Sequence, residues 1–369
     1  MLDKVANSLF ALLRLGIGVN PVSDVDVSLL RLMTETEWEL LKTLAEKQGV
    51  SALVLDGLHV IDKKHKGVSN AINEDWWKRF VLKWMGSTLV LEQTNRQQLA
   101  VMERLADVWI EAGCRMMVMK GQANALMCPN PLHRSPGDID CYLFGDYAKG
   151  NELVVKVGAE VNEGWYKHSE IKYLGETFEN HLYFVHTREG KRSKRLQKEL
   201  EEALNVTDWA TMPNSKVLVP PVQWNAMFLT YHACAHFLTE GLRLKQVLDW
   251  ALFLKQYQDE VDWGKFYEFC ERYHLLRFAE VVTEICSEYL GIKITNKVIT
   301  KKSPYTEKVL RSMLYDDDYI YGAGEGKWQS KLHVLRNLFR YRWKYKEIYQ
   351  QSVWKQLWWY VSGYVFHTE

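Results

Sequence analysis

Apolar positions recur at helical spacing through the first third of the chain. Leu9, Leu12 and Leu13 fall on one face, and Leu40, Leu41, Leu44 and Ala45 form a second run between a start at Thr36 and a stop at Gly49. From Asp75 to Ala112 the spacing holds without a break: Trp77, Phe80, Trp84, Leu99, Met102, Leu105 and Trp109 predict one long helix ended by Gly113. The pattern then changes. Arg115 to Met119 is a short apolar run between glycines and predicts a buried strand. Residues 122–127 predict a turn or two of helix, stopped by Cys128-Pro-Asn-Pro131. Asp138 to Leu143 alternates polar and apolar, as a half-buried strand does. A helix is expected from Tyr147 to Val157, then strands at Ile171–Leu174 and Phe178–Val185 joined at Gly175-Glu176. After Pro220-Pro221 the helical spacing returns, with helices expected at 222–238, 242–257, 263–273, 276–290, 304–314 and 328–361. The expected fold is α+β. A small mixed-sheet core at 114–215 lies between an N-terminal helical region, 1–113, and a C-terminal helical domain, 216–369.

Composition narrows the class but not the chemistry. The 369 residues are 47% hydrophobic and 25% charged, ordinary for a globular chain, and 47 basic residues balance 46 acidic ones. Any contact with nucleic acid or a membrane surface therefore depends on local patches. The six cysteines form no CxxC pair and several lie in apolar runs, which predicts reduced thiols packed in a core. No run of about 18 apolar residues is present, so no spanning helix is expected. The N-terminus has no small-residue cleavage site and looks like an amphipathic helix. Together these features predict a cytoplasmic protein.

The sharpest local feature is Arg134-Ser-Pro-Gly-Asp138-Ile-Asp140. On a strand Asp138 and Asp140 point the same way. Paired carboxylates repel unless a cation lies between them, and Mg²⁺ takes oxygen ligands from one or two carboxylates plus substrate phosphates. Before this pair, a strand ends in Lys120-Gly121 and a helix begins at Gln122. Glycine allows close backbone approach, the helix N-terminus offers N–H groups, and Lys120 adds positive charge. After the pair, a strand carries Glu179 and His181 on one face.

These residues resemble a known family. Val118-Met-Lys120-Gly121-Gln-Ala, Arg134 with Asp138-Ile-Asp140, and Phe178-Glu179-Asn-His181 are similar to the bacterial uncharacterised nucleotidyltransferase family of the polymerase-β-like superfamily. His232 and His236, Gly241-Leu-Arg243, Asp249-Trp250 and Val261-Asp262-Trp263 resemble its C-terminal helices, and Glu39 to Val50 is similar too. The resemblance implies a nucleotidyltransferase core that moves an NMP from a nucleoside triphosphate to a hydroxyl acceptor and releases pyrophosphate. It implies Mg²⁺, or Mn²⁺ in its place, on Asp138, Asp140 and Glu179. The third acid depends on strand register, and Glu176 and Glu189 are the alternatives. Lys120, Gly121, Gln122, Arg134, His181, His236 and Arg243 are the expected nucleotide-binding residues, with Arg134 facing phosphate or orienting Asp138. The acceptor could be a small molecule, an RNA end or a protein hydroxyl. The superfamily's turn usually reads Gly-Ser or Gly-Gly, whereas here it is Gly121-Gln122. That departure keeps open a catalytically weak nucleotide- or partner-binding module.

Three further features have plainer explanations. His232 and His236 share a helix face without the glutamate of a zinc-protease motif, and are expected to line the cleft. An Arg243–Asp249 pair is an alternative way to fix two helical turns. The basic cluster Arg188, Lys191, Arg192, Lys194, Arg195 and Lys198 is interspersed with glutamates, as on a solvated helix. Aromatic and basic residues interleave at 336–366, where core packing is expected ahead of base stacking or peripheral membrane contact.

Overall fold

Capping residues and glycines divide the N-terminal region into helices. The computed structural model describes residues 2–19, 24–65, 72–187, 190–295, 302–316, 336, 338–355 and 357. Helices α1 (Lys4–Gly16), α2 (Asp24–Arg31), α3 (Glu35–Lys47) and α4 (Ser51–His65) come first. Asp3 caps α1. Thr34, not Thr36, caps α3: its hydroxyl accepts from the Glu37 N–H while the Glu37 carboxylate accepts from the Thr34 N–H. Helices α1 and α4 cross at glycines. A Cβ at Gly16 would overlap the Leu53 carbonyl oxygen, and one at Gly57 would overlap that of Leu12. The long helix is α5 (Glu74–Glu111), 38 residues or about 57 Å of axis.

The middle segment builds the sheet. Its elements are β1 (Met117–Val118), α6 (Gln122–Ala125), β2 (Ile139–Tyr142), α7 (Tyr147–Lys156), β3 (Glu160–Asn162), β4 (His168–Tyr173) and β5 (Glu176–His181). Strand order is β1-β2-β5-β4-β3, with β2 and β5 parallel and the other pairs antiparallel. The expected hairpin is present, but its turn is Leu174-Gly175, both at positive φ (49° and 85°). That geometry matches the twist of the flanking strands. Accordingly β5 starts at Glu176 and ends at His181, earlier than the apolar pattern suggested. Strand β3 is an addition to the expected set; at three residues it is too short for a periodic signal.

Helices α8 (Lys191–Glu202), α9 (Val222–Thr239), α10 (Leu244–Tyr257), α11 (Trp263–Arg272), α12 (Leu276–Glu288) and α13 (Thr306–Tyr315) complete the chain's described order. Parts of the expected helix 328–361 lie outside the described residues. Within them it is interrupted: a π-helical turn at Lys344–Ile348 gives way to Gln350 at φ 53°. Among the described residues no helix is long and apolar enough to cross a membrane.

Two cores result. One runs from Leu9, Trp38 and Leu53 through Phe237 and Phe253 to Val281, so the N- and C-terminal helices share it. The other joins the far end of α5, with Met102, Leu105 and Trp109, to the sheet residues Val118, Ile139, Ile171 and Phe178. Helix α5 spans both, contributing Phe80 and Trp84 to the first. Between its apolar ends it buries Asn95 and Gln98. All six cysteines are buried and free.

Candidate active site

The polar middle of α5 holds the loop that carries Arg134 and Asp138. Asn95 donates to the Leu132 and Arg134 carbonyls at 2.7 and 3.0 Å, and Gln98 donates to the Gly137 carbonyl at 3.0 Å. Asp138 stands exposed just before β2, while Asp140 is buried within it. Pairing of β2 with β5 sets Asp140 beside Glu179, and pairing of β4 with β5 sets Glu170 across from Glu179 and His168 across from His181. Side chains alternate along a strand, so these acids and histidines share one sheet face. Glu176 has the parity of Phe178 and belongs to the other face; Glu189 lies outside the described residues.

Lys120 reaches this face because β1 pairs with β2. The Met119 N–H donates to the Asp140 carbonyl at 2.9 Å, and Gly121 turns the chain at φ 58°. The Lys120 ammonium lies 3.0 Å from Asp140 Oδ1 and 3.3 Å from His232 Nε2. An ammonium only donates, so that His232 nitrogen accepts. His236 Nε2 lies 3.1 Å from the same nitrogen, and its Nδ1 lies 2.9 Å from Glu240 Oε2. A polar chain therefore crosses the cleft from β2 to α9.

Charge on the acid face is unevenly compensated. Burial opposes ionisation of Asp140, but Lys120 and His181 outweigh it and hold the carboxyl well below the usual carboxylate range. At Asp138 the balance reverses: partial burial and the charges of Glu179 and Asp140 outweigh Lys120 and push its carboxyl up. Burial, with Lys120 and His236 beside it, pushes His232 well below the usual histidine range, so the ring is neutral. Burial and neighbouring cations also lower Lys167, beside Lys120, and Lys245, beside Arg134 and Arg243.

A cleft of about 190 Å³ opens between these elements, with Lys120, Asp138 and Asp140 on the sheet side and His232, His236 and Lys245 on the helical side. A second cleft of about 200 Å³, reaching Lys167 and Tyr345, shares His232 and His236 with it. Each is smaller than the ~300–1,000 Å³ that encloses a whole small-molecule ligand. The first suits a compact charged group.

Some expected residues are placed differently. Arg134 lines the cleft, but its guanidinium is engaged by Asp249, with two contacts of 2.8 Å, and does not orient Asp138. The expected Arg243–Asp249 pair gives way to this one, and Arg243 is exposed at the start of α10. Gln122 turns its side chain into α5, donating to Gln98 at 3.0 Å. Helix α6 has four residues, too few for an appreciable helix dipole. His168, Lys167 and Lys245 were absent from the expected set. The turn at Leu174-Gly175 pairs residues whose numbers sum to 349, which brings His168 opposite His181, so that signal was available in the sequence.

The sequence pattern of the uncharacterised nucleotidyltransferase family matches residues 34–291. The chain belongs to that family. No curated protein and no solved structure matches it. The match starts at the capping Thr34, ends past α12 and takes in the whole sheet and α9 and α10. Every residue lining the first cleft is thus inside the matched region.

Proposed function

We propose that this cleft transfers a nucleotide. The family description names nucleotidyl transfer in general. The observation that carries the specific reading is a cleft with Asp138, Asp140 and Lys120 on its sheet side and Lys245 and the two α9 histidines across from them, with Glu179 paired beside Asp140 on the next strand and Lys167 in the adjoining cleft. A divalent cation with a polyphosphate is complementary to that arrangement, since the cation answers the acids and the phosphates answer the cations.

The donor set of three carboxylates suits Mg²⁺ or Mn²⁺. When bound, the ion would neutralise phosphate charge and lower the pKa of the attacking hydroxyl. Asp138, Asp140 and Glu179 would hold it. The acceptor oxygen bonds to the α-phosphorus, the bond from that phosphorus to the bridging oxygen of the β-phosphate breaks, and pyrophosphate leaves. The acceptor's proton passes to a carboxylate of the acid face or to water. Lys120 would share its ammonium between Asp140 and the phosphates, and the Gly121 turn would let the chain approach them. His236 and Lys245 would meet the phosphates from the opposite wall. Arg134 would act through Asp249, fixing the wall rather than touching phosphate. Gln122 would contribute its backbone alone, and exposed Arg243 would lie at the rim.

One observation favours a second reading, a nucleotide- or partner-binding module without turnover: Lys120 at 3.0 Å and His181 at 2.9 Å already engage Asp140. Incubating the protein with each α-labelled nucleoside triphosphate, Mg²⁺ or Mn²⁺ and cell extract separates the two. Label entering a small-molecule, RNA or protein fraction supports transfer and identifies the acceptor class. Nucleotide binding without label transfer supports the binding module.

A further inference from the structure

At the β4–β5 end of the acid face, His168, Glu179 and His181 each bring a donor atom within 4.8 Å of the others. His168 Nε2 is 3.5 Å from Glu179 Oε1, and His181 Nε2 is 3.2 Å from Glu179 Oε2 and 2.9 Å from Asp140 Oδ1. With metal bonds of about 2.0–2.1 Å, donors around a tetrahedral ion stand roughly 3.4 Å apart. The contacts among these side chains already have that spacing.

The histidine tautomer points the same way. His181 is buried, and its Nδ1 lies 3.2 Å from the Tyr183 carbonyl oxygen. A carbonyl only accepts, so Nδ1 carries the proton. The ring's Nε2 faces the carboxylates of Asp140 and Glu179, an arrangement that a proton or a metal dication between them makes favourable. An imidazole whose far nitrogen donates to a backbone carbonyl is the usual support of a metal-binding histidine. His168 keeps a buried Nδ1 with no hydrogen-bond partner among the described residues, so the protein does not engage that nitrogen.

Mg²⁺ prefers oxygen donors, whereas imidazole nitrogen favours first-row transition metals. We propose that His168, Glu179 and His181, joined by Asp140, form a site for a first-row transition-metal dication, selected over Mg²⁺ by its two nitrogen donors. The site deepens the proposed transfer reading and rests on it for the use of the ion, not for its binding. Three of the side chains come from two paired strands and the fourth from the neighbouring strand.

The test is pulsed electron paramagnetic resonance of Mn²⁺ added to the purified full-length protein, with Mg²⁺ as competitor. Expected are ¹⁴N couplings from two histidines, loss of one set in His168→Gln, and displacement by Mg²⁺ only at more than about tenfold excess. Circular dichroism of His168→Gln and Glu179→Gln controls for folding. Bound Mn²⁺ without ¹⁴N coupling would overturn the inference and leave the carboxylate site standing. Absence of Mn²⁺ binding would overturn it as well, and nucleotide transfer with Mg²⁺ alone would then show that the proposed function survives without this site.

Discussion

Asp249 accepts two bonds from the Arg134 guanidinium and a third from Asn124 at 3.1 Å, all beside the cleft. Both charges are largely buried, with side chains 12% and 9% exposed. Removing one partner strands the other in a site with little water, so Arg134→Met is expected to cost about 3–5 kcal/mol. Adding Asp249→Leu is expected to recover much of that loss, as read from urea midpoints. His133 offers a pH-dependent counterpart. Burial opposes its charge, but Asp56 at 2.7 Å and Glu92 at 2.9 Å outweigh burial and raise its pKa. The stabilisation is therefore complete below the usual histidine range, about pH 6.5. It is lost as pH rises through the elevated folded-state value. Melting curves should show the wild-type protein losing its margin over His133→Gln across that rise; a pH-independent margin would refute the linkage. Asp138, Asp140 and Lys120 were legible as residues because their chemistry is carried by local order along the chain. The partners of Arg134 and Gln122 were not, because Asp249 and Gln98 come from helices distant in sequence.

Gly16 and Gly57 show the same contrast at the scale of elements. Nothing in the helical spacing marks either as a contact, yet α1 and α4 approach so closely that a methyl at Gly57 would overlap the Leu12 carbonyl oxygen. Gly57→Ala gains helix propensity but must push the two backbones apart. The net effect expected is a loss of about 1–3 kcal/mol, seen as a lower melting temperature with unchanged helical signal. The strands were readable where alternation or a turn residue fixed them. Once Gly175 is recognised as a turn residue, the register of β4 on β5 follows, and it brings His168 across from His181 and Glu170 across from Glu179. Strand β1 carries two residues of the apolar run expected there, since Leu218 from a later segment closes its other edge. Basic helix α8 agrees with the solvated reading: Lys198 pairs with Glu202, Leu196 and Leu200 face inward, and Arg192 bonds the Tyr349 hydroxyl.

Across the whole molecule, the helical regions before and after the sheet are separate in sequence but continuous in their core. Leu9 and Val281 belong to one cluster because α5 carries the chain past the sheet, and sequence periodicity cannot report which distant faces meet. The aromatic C-terminal segment partly joins that cluster. Ile348 is buried in it, and the buried Tyr345 donates to the Leu238 carbonyl at 3.1 Å, in keeping with core packing; Trp354 remains 68% exposed. Trp358, Trp359, Tyr360, Tyr364 and Phe366 lie outside the described residues. The proposed function centres on the cleft between sheet and α9–α10, with Asp138, Asp140 and Lys120 on one side and His232, His236 and Lys245 on the other. The most direct test is transfer of label from α-labelled nucleoside triphosphate, with pyrophosphate release, by wild-type protein and Asp138→Asn in Mg²⁺. Asp138 is exposed, so the substitution leaves the packing intact. The expected result is transfer by the wild-type protein that falls on the order of 100-fold or more in the variant, with an unchanged melting curve. Transfer undiminished in Asp138→Asn would contradict the assignment of this acid face to catalysis.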